Sequence, residues 1–166
     1  LDNYDVHSAE NPVTRVIATV YGDKTANFKN QLVWSPTQNF SLTGRAGYFF
    51  RETVRTADLP ERYRDFSGGL KMNWDITTDD ALQLSYAFDQ YDKSDYQKIR
   101  HLDIRDYSNV QNTFRLLYNH AFEGGDVLTI GSDYMHDYLM NTNLSNGTRK
   151  QDTFDVFAQY DWRISD

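Results

Sequence analysis

Two clusters of side chains in this chain have types and spacing that could do chemistry. Arg51, Arg55, Arg62 and Arg64 fall within one short polar segment. Tyr96, Lys98, Arg100, His101 and Arg105 fall within another, mixed with acids. Cations interleaved with aromatic rings suit an anionic ligand, because a guanidinium offers forked donors and a ring offers a stacking face. The plainer account of both segments is solvated loop. Catalysis has less behind it, since the sequence holds no GxSxG, no HExxH, no glycine-rich phosphate loop and no cysteine. No enzyme activity is therefore expected. Asp133, His136 and Asp137 are tempting metal ligands, but on a strand His136 faces away from both aspartates. Asp75 to Asp80 resembles a calcium loop only superficially, lacking its central glycine and distal glutamate. No cofactor or metal is expected.

The elements that must carry these clusters are strands. Across Phe28–Trp34, Phe40–Phe50, Asp65–Trp74, Leu82–Tyr91, Val110–Phe122, Leu128–Met140 and Phe154–Ser165, even-numbered positions are apolar at 32 of 40 places, odd-numbered ones at 9 of 36. The even face carries no charged residue in these windows; the odd face carries eleven, among them Lys29, Arg45, Lys71, Asp89, Arg115 and Asp133. Such alternation predicts two-faced antiparallel strands, and a weaker eighth is expected over about Val13–Tyr21. Short turn sequences at Ser35–Asn39, Asp75–Asp80 and Glu123–Asp126 alternate with longer polar segments at Arg51–Arg64, Asp92–Ser108 and Asn141–Gln151. The expectation is an all-β, up-and-down antiparallel meander of seven or eight strands, in one segment over 1–166.

Composition narrows the partners. The chain has 166 residues, a formal net charge of −7 and a sequence pI near 5.0, which argues against nucleic acid. Mean hydropathy is −0.72 and no window reads as a membrane helix. Aromatic residues nevertheless make up 15%, and they are placed unevenly. Trp34, Phe40, Trp74, Phe122 and Trp162 fall on the even face beside the short turns. Tyr48, Phe50, Phe66, Tyr86, Phe88 and Tyr138 fall on the same face toward the long segments. Two aromatic belts flanking a band of Leu, Ile, Val and Ala are what a membrane–water boundary favours at each side. Ten residue steps of ~3.3 Å, tilted by ~40°, span roughly 25 Å, the height of an outer-membrane barrel's apolar band. The sequence therefore predicts a transmembrane β-barrel wall, with lipid and lipopolysaccharide against the even face and water against the odd.

Asp126–Tyr134 (DVLTIGSDY) and Asp155–Asp166 (DVFAQYDWRISD) add a resemblance. Together they resemble the mid-barrel of TonB-dependent outer-membrane receptors, in which one such strand leads through an external loop to the next. Trp162 takes the interfacial position of that pattern. The resemblance implies a bacterial outer-membrane location and uptake of a scarce nutrient of the iron–siderophore, haem or cobalamin class. It also implies ligand binding by external loops, a plug domain, and the periplasmic TonB protein as partner. Receptors of this kind have about 22 strands around a plugged lumen, and this chain shows neither plug nor coupling box. The expectation is thus a piece of a barrel, about a third of it. Two alternatives remain: a self-contained eight-stranded barrel serving as anchor or adhesin, and a soluble lipocalin-like binding barrel with the apolar face turned inward.

Overall fold

Strict alternation forces each segment to bury or expose a whole face at once, and the result is a single sheet. The computed structural model describes residues 22–54 and 59–164. They form seven strands: β1 (Asp23–Thr37), β2 (Phe40–Thr53), β3 (Glu61–Asp75), β4 (Asp80–Gln97), β5 (Leu102–Ala121), β6 (Val127–Asn141) and β7 (Thr148–Asp161). Each pairs antiparallel with its sequence neighbour, in the order β1-β2-β3-β4-β5-β6-β7. The fold is an all-β up-and-down meander, and among the described residues the sheet is not closed. The expected strand at Val13–Tyr21 and the expected site residue Arg55 lie outside the described residues.

The register keeps one face even from strand to strand. Phe40, Trp74, Leu82, Tyr118, Ile130 and Ala158 are successive partners across six strands. Even so, no hydrophobic residue is buried among the described residues. Leu32, Leu70, Phe114, Phe154 and Val156 all stand exposed on the even face. That face is hollowed by an apolar trough of about 300 Å³ lined by Leu42, Leu70, Met72, Leu84, Phe114 and Leu116. A larger trough of about 860 Å³, of mixed lining, is bordered by Lys29, Arg45, Ser67, Lys71, Asp89 and Arg115 of the odd face.

The long polar segments differ from their expected form. Asp92–Ser108 is mostly ladder: β4 runs on to Gln97 and β5 begins at Leu102, leaving a turn at 98–101 in which His101 takes a φ of 52°. Likewise β2 runs to Thr53, β3 starts at Glu61 and β7 starts at Thr148. Backbone pairing does not require an apolar face, so strands continue past the point where alternation of hydrophobicity ends. A register shift accompanies the extension. Lys93 faces Tyr107 but Ser94 faces Arg105, so Asp106 is the extra residue of a bulge. Beyond it the odd-numbered residues of β5 share the even face of β4.

The two rims of the apolar band are not parallel to the rows of the ladder. Toward the long-loop end, the first charged even-face residues are Lys24 on β1 and Glu52 on β2, which face each other. On β3 and β4 they are Arg64 and Asp92, also partners and two residues nearer the short turns. On β7 the first is Asp152, in register with His136, Asn112 and Phe88, four residues lower again. The opposite rim shifts alike, from Trp34 opposite Leu42 to Trp162 beyond the row of Tyr160, Leu128 and His120. The course is uneven, since on β5 the first charged residue is Arg105, two residues higher than Asp92, and β6 carries none. From β1 to β7, however, each rim is displaced by six residues, an average of one per strand or ~3.3 Å for every ~4.8 Å across the sheet. A flat band therefore requires strands inclined by roughly 35° to its normal, within the range of barrel strands.

One glycine sets a close approach. Gly131 is buried beneath the Phe157 ring, and a Cβ there would lie 2.3 Å from Phe157 Cζ and 2.8 Å from Leu117 Cδ2. Gly131→Ala should cost about 1–3 kcal/mol by overpacking, read from urea unfolding of the chain in micelles. Adding Phe157→Ala should recover most of that loss. If the two costs simply add, the ring is not what excludes the methyl group.

Candidate functional site

Past the apolar band, at the long-loop end of β2–β5, the even face becomes a collar of charges. Its members come together because the β3–β4 register aligns Arg62 with Ser94 and Arg64 with Asp92, and the bulge at Asp106 turns Asp103 and Arg105 to the same side. Arg62 Nε donates to Glu52 Oε2 at 2.8 Å and its Nη1 to Asp103 Oδ2 at 3.1 Å. Arg64 donates to Ser94 Oγ at 3.0 Å and also to Asp103. Asp92, only 1% exposed, accepts from Ser108 at 2.6 Å and Gln90 at 2.8 Å and is ion-paired to Arg105 at 3.2 Å. The Arg62 guanidinium lies 3.4 Å from the centre of the Tyr96 ring.

Electrostatics in the collar follow from this pairing. Burial pushes the Glu52 carboxyl up, but hydrogen bonds from Arg62 and Lys24 outweigh it and hold the group below the usual carboxylate range. Asp103 is held low in the same way, by Ser94, Arg64 and Arg62 against burial. Arg62 is raised, since Glu52 and Asp103 outweigh the opposing effect of burial. The arrangement stabilises separated charges in place and presents no unbalanced acid or base suited to proton transfer.

The expected ligand residues are thus only partly gathered. Arg62, Arg64, Tyr96 and Arg105 share the collar. Arg51 lies on the odd face, ion-paired to Asp23 across the β1–β2 ladder. Arg100 and His101 are exposed in the turn at 98–101, with His101 Nδ1 3.2 Å from the Tyr96 hydroxyl. Sequence reading missed Glu52, Asp92, Asp103 and Ser108. The one available signal was the run of acids spaced among the arginines, and the bulge that joins them leaves no mark in composition.

The belt residues sit as alternation places them. Trp34, Trp74, Phe122 and Trp162 are exposed on the even face, the last to 73%, while Phe40, Tyr48 and Phe50 are half-buried. Trp34 meets Phe40 edge-on at 6.0 Å, and the Tyr48 and Phe66 rings pack tilted by 44° with centres 4.8 Å apart. At the short-turn rim, Asp80 accepts from Tyr118, His120 and Thr77. Among the described residues, no three His, Cys, Asp or Glu side chains converge on a common metal position. No family model, curated protein or solved structure matches the chain.

Two outcomes follow from these bonds. Asp92→Ala leaves the buried Ser108 hydroxyl without its acceptor, while half-exposed Arg105 can turn to water, and should cost about 1–3 kcal/mol in chemical denaturation; no measurable loss would show the collar to be ornamental. Asp80 is drawn down to about 2, first by the Tyr118 hydroxyl and then by His120 and Thr77. Because its folded value lies below the unfolded one, its contribution holds above the ordinary carboxylate range and disappears as pH falls through about 2. Carboxyl ¹³C titration should place the midpoint there, and Tyr118→Phe should move it upward.

Proposed function

We propose that the chain is a stretch of barrel wall from a TonB-dependent receptor that takes a scarce nutrient across a bacterial outer membrane. In this reading lipid covers the even face, the odd face lines a wet lumen, and external loops meet the ligand. The supporting observation is the band itself. A face with no buried hydrophobic residue among those described carries an apolar belt whose two rims are each displaced by six residues between β1 and β7. Such a belt is level when the strands tilt as barrel strands do, with aromatic rings along both rims. The odd-face cations Lys29, Arg45 and Lys71 would then face a plug, and TonB would drive its rearrangement from the periplasm. The nutrient class and these partners rest on the resemblance of Asp126–Tyr134 and Asp155–Asp166 alone.

A second reading, a small self-contained outer-membrane barrel, draws on strand direction. β1 and β7 both run from the long-loop end to the short-turn end, so one further strand between them would complete an antiparallel closure. That reading shares the lipid-facing even face and differs only in what lies between the edges.

The test separates lipid from water on the two faces. Leu70→Arg or Val156→Arg should cost ~2–4 kcal/mol near the bilayer midplane, whereas Ser67→Arg or Gln159→Arg should be tolerated on the wet side. Single cysteines at Leu70 and Val156 should resist a water-soluble maleimide in membranes and react with a lipid-phase probe. Rapid labelling of both by the water-soluble reagent would end the membrane reading. Protection from both reagents would point instead to an inward apolar face, as in a soluble barrel.

A further inference from the structure

β5 runs higher than its neighbour β6. Their last partners are Tyr107 and Asn141, and the last backbone bond between them runs from Thr142 N–H to Asp106 O at 3.0 Å. There β6 turns back: the Asn141 amide donates to Gly147 O at 2.9 Å and the Leu144 amide to Asn141 O at 3.0 Å. Leu102, Asp103, Ile104 and Arg105 are therefore paired to β4 on one side and open on the other. Among the described residues β5 meets no strand besides β4 and β6. The bulge at Asp106 sends Asp103 and Arg105 to the collar side and leaves Leu102 and Ile104 on the opposite side. Both are exposed, to 50% and 42%, and their ladder partners Gln97 and Asp95 give them no apolar cover. An open edge is ordinarily guarded by lysine, by proline or by a charge on its apolar side. Between Leu102 and Arg105 this one has none of them. It is also held still, since Arg62 and Arg64 bond to Asp103, and Arg105 is ion-paired to buried Asp92.

We propose that this edge takes up an extended segment of another protein as an added strand, antiparallel to β5, in the line β6 would have followed had it run on. Opposed residues of an antiparallel pair share a face, so the edge specifies its partner. In the partner's own direction, an acid falls opposite Arg105, an apolar residue opposite Ile104, a cation opposite Asp103 and an apolar residue opposite Leu102. Backbone bonds supply the affinity and the alternation supplies the selectivity. Because the collar fixes Asp103 and Arg105 beforehand, the ordering cost falls on the incoming segment. A second copy of this chain is a poorer fit. Its Asp103, Ile104 and Arg105 can face Arg105, Ile104 and Asp103, but its Asp106 then lies against Leu102. The edge is open whatever covers the even-face band, so the site is independent of the membrane reading.

The full chain in detergent micelles can be titrated with a labelled, end-capped peptide containing Glu-Val-Lys-Val, read by fluorescence anisotropy. The same composition ordered Lys-Val-Glu-Val should bind about tenfold more weakly, since both opposed charge pairs become like-charged. N-methylation of alternate amides tests the ladder directly. One alternate set should abolish binding and the other be tolerated, because only one set faces β5. Ile104→Lys should also abolish binding and Ile104→Val should keep it, with circular dichroism checking that both variants hold the sheet. Arg105→Gln should erase most of the preference between the two peptides. Tolerance of both methylated sets, or equal affinity of the unsubstituted chain for both peptides, overturns the proposal, and these two measurements decide it even where Ile104→Lys fails to fold. Concentration-dependent pairing of the chain in sedimentation, abolished by Ile104→Lys, overturns it as well, since a second copy then holds the edge.

Discussion

Everything in this molecule hangs on the inter-strand hydrogen-bond ladder. With no buried hydrophobic residue among those described, the six strand pairings are held by backbone bonds and by side chains packed along each face. In an ordinary domain a second layer would cover the apolar face and supply the main driving force. Here Leu32, Leu70, Phe154 and Val156 look outward from the only layer described. Apolar surface of that extent needs a covering, and a single twisted sheet does not provide one for itself.

What the ladder cannot specify, the polar residues do. Within the band, successive rows are chemically alike and a strand could slide by two residues at small cost. The collar breaks that degeneracy. Glu52, Arg62, Asp103, Arg64 and Ser94 link β2, β3, β4 and β5 through bonds with definite partners. Lower down, Arg115 grips Asp133 with two bonds, 2.6 and 2.8 Å long, and ties β5 to β6 on the odd face. A shift by one row would strand a charge in each case.

How much of this was legible follows from where the two faces differ. Between Phe40 and Phe50, or Leu82 and Phe88, every second residue but Gly44 is apolar, and strand and face could be read directly. The belts at Trp34, Trp74 and Trp162 were legible for the same reason. Beyond Glu52 and Asp92 both faces are polar, alternation vanishes, and strand reads as loop although the ladder goes on to Gln97. The extra residue Asp106 also turns the odd-numbered Asp103 and Arg105 to the even face, so parity alone would set them on the wrong side. A bulge is a matter of pairing between strands, which a linear pattern does not encode. The arginines were therefore found, while the acids that engage them were not.

The shared direction of β1 and β7 also makes the seven described strands an incomplete period. The chain leaves β7 at the short-turn end, whereas β1 of a following copy would begin at the long-loop end. A tandem duplication must send the connecting chain once across the full height of the sheet, and such a crossing, laid beside β7, is itself a strand. An up-and-down sheet of this kind therefore closes antiparallel only with an even number of strands, so the hairpin rather than the single strand is the unit that can be added without reversing an edge.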